Sequence, residues 1–143
     1  MSQQLALKVK WIHPPQVERW LRRTVIRRTL NVCCGMSRVG EVRVDTDEGT
    51  NRTEPGDLFD LRFPKLSFDT VICDPPFSYY SHFKWIYGLT DLARKLVILS
   101  APTNLSIMLS RRKWDISLYA VAPRNTRFLR LYWMFERKDM ILQ

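Results

Sequence analysis

The sequence predicts a three-layer α/β fold, with a mostly parallel sheet and an antiparallel hairpin at one edge. Short apolar runs alternate with stretches of helical periodicity along the first hundred residues, which is typical of parallel strands joined by helices. Two β-rich stretches then follow near the carboxyl-terminal end, separated by a Pro- and Asn-containing turn at 123–126. A chain of 143 residues is expected to form a single domain over 1–143.

The amino-terminal half supplies the first helix and two short strands. Val17, Trp20, Leu21 and Val25 recur at helical spacing and predict an amphipathic helix over 15–28, for which Pro15 suits the first turn. An apolar run at 30–34, stopped by a glycine, predicts a buried strand, and 42–45 predicts a second one. The polar segment 46–56 is interpreted as a loop that replaces a crossover helix.

The second half contains the clearest strand. The β-branched run at 68–73 has the pattern of a strand covered on both faces. Phe83, Ile86, Leu89 and Ala93 then place one apolar stripe along a helix. A strand is predicted at 95–100, a helix at about 103–112, and the two strands of the hairpin at 116–122 and 128–136.

Charge and cysteine content narrow the function classes. The net charge is +9, and its distribution is uneven: residues 1–30 carry +6, residues 31–80 carry −4 and residues 81–143 carry +7. An acidic middle between basic flanks favours a site for a cationic small molecule beside surfaces that attract phosphates. The three cysteines lack metal-ligand spacing and are expected as reduced thiols in strands, with no metal bound. No apolar run is long enough to cross a membrane, so a cytoplasmic protein without a membrane partner is expected.

Candidate functional residues follow the predicted strands. In open α/β sheets, ligands bind beyond the carboxyl ends of the strands. The residues at these positions are Gly35, Asp45, Asp57 and the segment Asp74-Pro75-Pro76-Phe77. This last segment resembles the D/N-P-P-Y/F/W motif of S-adenosylmethionine-dependent amino methyltransferases, which act on exocyclic amines of adenine or cytosine. The resemblance runs in order over about residues 11 to 136 and implies a Rossmann-like methyltransferase sheet.

The same resemblance implies S-adenosylmethionine as cofactor. Leu30-Asn31-Val32-Cys33-Cys34-Gly35-Met36-Ser37 resembles the first, cofactor-binding motif of the family, and Gly56-Asp57-Leu58-Phe59 resembles the turn that holds the cofactor's adenine. Asp45 is placed to bind the ribose hydroxyls, with Asp47 as the alternative. The segment before the first strand is expected to pack over the amino-acid end of the cofactor. The candidate cofactor-binding residues are therefore Asn31, Cys33, Gly35, Asp45, Asp57, Leu58, His13 and Pro14.

The chemistry of the reaction explains the residue types at 74–77. The amine of adenine or cytosine is a poor nucleophile because its lone pair is delocalised into the ring, so two acceptors must hold its hydrogens while it attacks a sulfonium methyl group. The carboxylate of Asp74 and the carbonyl of Pro75 can serve as these acceptors. Pro75 and Pro76 make the backbone rigid, and Phe77 offers a face on which an extruded base can stack. The alternative interpretation is that Asp-Pro-Pro merely ends a strand.

Basic residues and the family resemblance together suggest the class of substrate. Clustered basic residues are candidates to bind a nucleic-acid backbone: Arg22, Arg23, Arg111, Arg112, Lys113, Arg124 and Arg127, together with Arg130. The favoured hypothesis is methyl transfer to a nucleic-acid amine, with adenine N6 preferred and RNA or DNA as polymer. A second copy or a partner subunit is a candidate for completing target recognition. One alternative is a nucleic-acid-binding subunit with a degenerate methyltransferase fold, because Asn31 and Ser37 stand where the family usually has an acidic residue and a glycine. The other alternative is a protein glutamine N-methyltransferase.

Overall fold

A computed structural model describes residues 13–76, 79, 84–101, 113–121 and 130–138. Their strands form one seven-stranded sheet in the order β3-β2-β1-β4-β5-β7-β6. The strands are β1 (Thr29–Val32), β2 (Val42–Asp45), β3 (Glu54–Pro55), β4 (Phe68–Cys73), β5 (Ala93–Ser100), β6 (Trp114–Val121) and β7 (Arg130–Arg137). Strands β1 to β5 pair in parallel, whereas β7 is antiparallel to both β5 and β6. The predicted α/β fold with an antiparallel hairpin at the edge is confirmed.

Two helices cover opposite faces of the sheet. Helix α1 (Pro15–Thr24) packs Val17 and Leu21 into a cluster with Ile72 and Ile98. Helix α2 (Trp85–Leu92) packs into a second cluster, which contains the alternate residues of the same strands. Because successive side chains of a strand point to opposite faces, the two clusters lie on the two sides of the sheet. This arrangement makes the three layers that the sequence predicts.

Helix α1 ends four residues before the predicted boundary. Val25 has an extended backbone, and the N–H of Ile26 donates to the Thr70 hydroxyl at 2.8 Å. That hydroxyl in turn donates to the Ile26 carbonyl at 3.0 Å. The backbone beyond Thr24 is therefore tied to β4, which directs it into β1.

Other boundaries also differ from the sequence-based expectation. Within the predicted loop, the two-residue strand β3 pairs with β2, and Cys33 and Cys34 lie in the turn after β1 rather than in a strand. Strands β5, β6 and β7 each cover eight residues. The predicted helix at 103–112 and the turn at 123–126 lie outside the described residues. Among the residues that are described, no helix is long and apolar enough to cross a membrane.

Candidate functional site

Asp74 is the first residue after β4, at the sheet edge where the parallel strands end. Its backbone N–H donates to the carbonyl of Val32 at 3.4 Å, which continues the pairing of β4 with β1. The side chain is 30% exposed, so the carboxylate lies between the core and the surface. Pro75 is buried and Pro76 half-buried, while Phe77 lies outside the described residues. A carboxylate is therefore presented from a buried strand at the edge where α/β proteins bind ligands.

Three side chains converge on this carboxylate. His13 Nδ1 and Arg130 Nη1 each lie 3.9 Å from Asp74 Oδ2. His13 Nδ1 is also 3.0 Å from the hydroxyl of Tyr132, which is buried in β7. Burial and then the charge of Asp74 raise the pKa of Tyr132, so the phenol keeps its proton. His13 and Pro14 were predicted to contact the cofactor; the structure places His13 against Asp74, and the Pro14 carbonyl accepts the first N–H groups of α1.

The turn after β1 contains two residues with positive φ angles. Cys33 has φ of 54° and Gly35 has φ of 53°, both in the left-handed region. The Gly35 N–H donates to Asp45 Oδ2 at 2.9 Å, so the carboxylate at the end of β2 holds the turn at the end of β1. The structure thus brings Gly35 and Asp45 into contact, with Cys33 in the same turn.

Asn31 supports this turn from inside the fold. Its side chain is fully buried, and its amide donates to Ser37 Oγ and to the Val39 carbonyl, each at 3.1 Å. The Ser37 hydroxyl donates to the carboxylate of Glu18 in α1 at 2.9 Å. Asn31 and Ser37, which depart from the family pattern, therefore form one network with α1. Asn31 is thus fully buried and hydrogen-bonded to the segment that follows the turn, and its predicted role in cofactor binding stays a prediction.

Of the two candidate ribose-binding carboxylates, the geometry favours Asp45. Asp47 is exposed, and its Oδ1 accepts the N–H of Gly49 at 2.8 Å within its own turn. Asp45 is 8% exposed, and its two oxygens accept one N–H each, from Gly35 and from Asp47. A carboxylate oxygen can accept two hydrogen bonds, so each retains capacity for a further donor.

Asp57 borders a surface cavity of about 440 Å³ beside β2 and β3, and Leu58 is the next residue along the chain. Its lining includes Thr46, Gly56, Asp57, Leu61 and Phe63. Asp57 is exposed, and its Oδ1 accepts the N–H of Phe59 at 3.0 Å, while Leu58 is buried. A partly apolar cavity with a carboxylate at its border can hold a flat, amine-bearing ring.

Tyr79 shows that these strand ends share one region. Partial burial raises the pKa of its phenol, and the nearby Cys33 thiol and the carboxylates of Asp57 and Asp45 add to the effect. Its ring also contacts that of the exposed Phe59, with the ring centres 4.7 Å apart. The Cys33 thiol and the carboxylates of Asp45 and Asp57 therefore lie near one phenol group, whose backbone N–H donates to the Pro76 carbonyl at 3.0 Å.

The predicted phosphate contacts that the structure describes lie in different parts of the fold. Arg22 and Arg23 are exposed in the last turn of α1, and Lys113 is exposed just before β6. The register of β6 with β7 places Lys113 at the opposite end of the hairpin from Arg130. Arg111, Arg112, Arg124 and Arg127 lie outside the described residues. Among the described candidate phosphate contacts, Arg130 is the one that lies beside Asp74.

The sequence does not predict that Tyr132 or His13 lies near Asp74. His13 and Tyr132 are 119 positions apart, and no spacing in the sequence reveals that they meet. The available signal was the alternation of β7, which places Tyr132 on the buried face shared with Met134.

Solved structures show where else this fold occurs. The PH0226 protein from Pyrococcus horikoshii OT3 matches with a TM-score of 0.53 at 15% identity, over 85% of this chain and 88% of that one. The Escherichia coli protein yhhF, described as a candidate methyltransferase, matches with a TM-score of 0.52 at 12% identity, over 86% and 82%. A SAM dependent methyltransferase from Aquifex aeolicus matches with a TM-score of 0.51 at 12% identity, over 92% and 97%.

These matches establish the class of fold. The chain has the Rossmann-like α/β fold of the methyltransferase structures, and its own carboxyl-terminal strands form an antiparallel hairpin at one edge of the sheet. No protein-family model and no curated protein matches the sequence.

Proposed function

We propose that this protein is an S-adenosylmethionine-dependent methyltransferase that methylates an exocyclic amine of a nucleic-acid base, with adenine N6 as the favoured target. The observation that carries the proposal is the Asp74 carboxylate, presented by two prolines at the carboxyl edge of a methyltransferase-type sheet. The Aquifex aeolicus protein of the same fold is described as SAM dependent, which supports the choice of cofactor.

The residues present fit this cofactor. The turn over Cys33 and Gly35 has positive φ angles and small side chains, which would let a cofactor lie close to its backbone. Asp45 retains acceptor capacity for hydroxyl groups. Asp57 borders a cavity suited to a purine. When bound, the cofactor supplies a methyl group on a positively charged sulfur. Gly35, Asp45, Asp57 and Leu58 are the residues that would hold it. The negative charges of Asp45, Asp57 and Asp74 favour a cation at this edge.

Asp74 and Pro75 orient the amine. One N–H of the amine donates to the Asp74 carboxylate and the other to the Pro75 carbonyl, which turns the nitrogen lone pair towards the methyl group. As the nitrogen takes the methyl group, the carbon–sulfur bond would break and leave its electron pair on sulfur. The methylated nitrogen then carries a positive charge, and its N–H bond breaks to give the proton to Asp74. Because the prolines fix their φ angles, these acceptors are held in place before substrate binds, and proximity supplies most of the rate.

The preference for nucleic acid rests on charge. The chain carries a net charge of +9, and Arg130 places a guanidinium, one third exposed, beside Asp74. A polyanion is attracted to such a chain by counterion release, and a guanidinium beside the reaction centre suits a phosphate of the target nucleotide. A protein glutamine substrate would gain nothing from either feature.

Mass spectrometry of nucleosides tests the proposal. Purified protein is incubated with labelled S-adenosylmethionine and matched unmodified RNA and DNA, and the polymers are digested and analysed. Asp74→Ala is expected to lower product formation by roughly 10²-fold or more. Asp69→Ala is the matched control. Asp69 lies on the same strand but far from its carboxyl edge, and its carboxylate is 3.6 Å from the Arg94 guanidinium.

Labelled N6-methyladenine made by the wild type and by Asp69→Ala, but not by Asp74→Ala, supports the proposal. Folded wild type that binds the cofactor yet modifies neither polymer contradicts it and favours a protein substrate. Folded wild type that binds nucleic acid but no cofactor favours a binding subunit instead.

A further inference from the structure

A buried polar pair lies directly behind the proposed reaction centre. His13 is 3% exposed and Tyr132 is 1% exposed, and both sit in an aromatic environment with Trp20, whose ring centre is 5.7 Å from that of Tyr132. Burying polar groups is costly unless they are hydrogen-bonded, and His13 Nδ1 and the Tyr132 hydroxyl are partners at 3.0 Å. The same Nδ1 atom lies 3.9 Å from the Asp74 carboxylate, which indicates a role beyond packing.

The contacts around Asp74 are asymmetric. Both His13 Nδ1 and Arg130 Nη1 approach the same oxygen, Oδ2, each at 3.9 Å. Tyr132 lies near both, since its oxygen is 3.0 Å from His13 Nδ1 and the Arg130 guanidinium partly offsets the rise in the pKa of its phenol. One oxygen of the carboxylate is thus approached by two side chains, and Tyr132 contacts the first of them.

We propose that His13 and Tyr132 are positioning residues that, together with Arg130, hold Oδ2 of Asp74 and so present Oδ1 to the substrate amine. This inference rests on the proposed function, because it assigns the orientation of the carboxylate used there. An exposed carboxylate rotates about its terminal bond, which is a broad two-fold torsion. Fixing one oxygen from behind removes that freedom before the amine arrives, which is how supporting residues raise the rate of an oriented reaction.

The arrangement depends on two distant parts of the chain. His13 comes from the segment before α1, and Tyr132 comes from β7, where it pairs with Ser100 at the carboxyl end of β5. The hydroxyl of Tyr132 keeps its proton because burial and the charge of Asp74 raise its pKa. It therefore remains a neutral partner of the imidazole at pH values at which an exposed tyrosine begins to ionise.

Nuclear magnetic resonance tests this network without relying on activity. The chain contains two histidines, so the ring-nitrogen resonances of His13 can be assigned with a His82→Gln variant. Asp74→Asn and Tyr132→Phe are each expected to shift the His13 ring-nitrogen signals. Tyr119→Phe is the matched control, because Tyr119 stacks on Trp20 in the same aromatic group with ring centres 4.1 Å apart.

Kinetics then test the positioning role. Tyr132→Phe is expected to lower kcat about tenfold while the KM for the cofactor changes by less than about twofold. His13→Asn, which keeps a polar nitrogen near the position of Nδ1, is expected to retain more activity than His13→Leu. Tyr119→Phe is expected to keep the kcat of the wild type.

The outcomes separate this inference from the proposed function. His13 signals that ignore Asp74→Asn overturn the inference, whatever the activity of the wild type. Responsive His13 signals combined with an unchanged kcat for Tyr132→Phe also overturn it. Responsive signals in a folded wild type that methylates no polymer support the network around Asp74 and count against the nucleic-acid proposal alone.

Discussion

At the scale of single residues, the turn after β1 is the most constrained part of the described chain. Cys33 adopts a left-handed conformation that costs a residue with a side chain about 1–2 kcal/mol. The position next to it, Cys34, is buried and donates a weak hydrogen bond to the Gly35 carbonyl at 3.5 Å. Two adjacent cysteines thus have different environments, one strained and half-buried, the other in the core.

The buried Cys34 thiol predicts a loss of stability at high pH. Burial, and then the charge of Asp45, raise its pKa from the ordinary 9.0 to about 11. Below pH 9 the thiol is protonated in both states; above it the unfolded chain loses the proton while the folded chain keeps it. The free energy of unfolding therefore falls as pH rises from 9 to 11, by at most about 1.4 kcal/mol per pH unit from this group.

Urea denaturation under reducing conditions, at pH 8 and pH 10, measures this effect. Cys34→Ala is expected to reduce the loss of stability between the two pH values. Cys33→Ala, at the half-buried neighbouring position, is the matched control. Identical losses in the wild type and both variants would show that Cys34 does not carry the effect.

At the scale of elements, glycines mark where the backbone must turn and where it need not. Gly40, just before β2, has φ of +101°, and a Cβ there would lie 3.1 Å from the carbonyl oxygen of Thr29. Gly88 is exposed on α2, and a Cβ there would have no heavy atom within 4 Å. The same substitution should therefore have opposite effects at these two positions.

Gly40→Ala is expected to destabilise the fold by about 1–2 kcal/mol or more, because alanine is strained at this φ and crowds β1. Gly88→Ala is expected to stabilise it by roughly 0.5–1 kcal/mol, because alanine is the better helix former. Thermal unfolding of both variants measures the difference. A Gly40→Ala protein as stable as the wild type would show that this turn does not set the register of β1 and β2.

Element boundaries show what local patterns in the sequence can and cannot predict. Strand β4 matches its predicted bounds because a strand covered on both faces favours β-branched and apolar residues, and five of its six residues are buried. Helix α1 stops early because the Thr70 hydroxyl, 44 positions away from Ile26, competes for the backbone groups that would continue the helix. Strand β3 has two exposed residues and no apolar pattern, so its pairing with β2 leaves no trace in the sequence.

At the scale of the whole molecule, the parallel order of the strands gathers the chemistry at one edge. The residues that follow β1, β2 and β4 were predictable as site candidates because the carboxyl ends of parallel strands coincide. The support behind Asp74 was not predictable, since it joins a residue before the first helix to one in the last strand. Local sequence patterns thus indicate which residues line the site, while contacts between distant segments determine how its carboxylate is held.

Isothermal titration calorimetry with S-adenosylmethionine tests whether the carboxyl edge of the sheet is a cofactor site. We expect one binding site on the wild type, an affinity at least about tenfold weaker for Asp45→Ala, and a change within about twofold for the neighbouring Asp47→Ala. A folded wild type that does not bind this cofactor would show that the proposed cofactor site is wrong, and so would a loss of affinity with Asp47→Ala but not with Asp45→Ala.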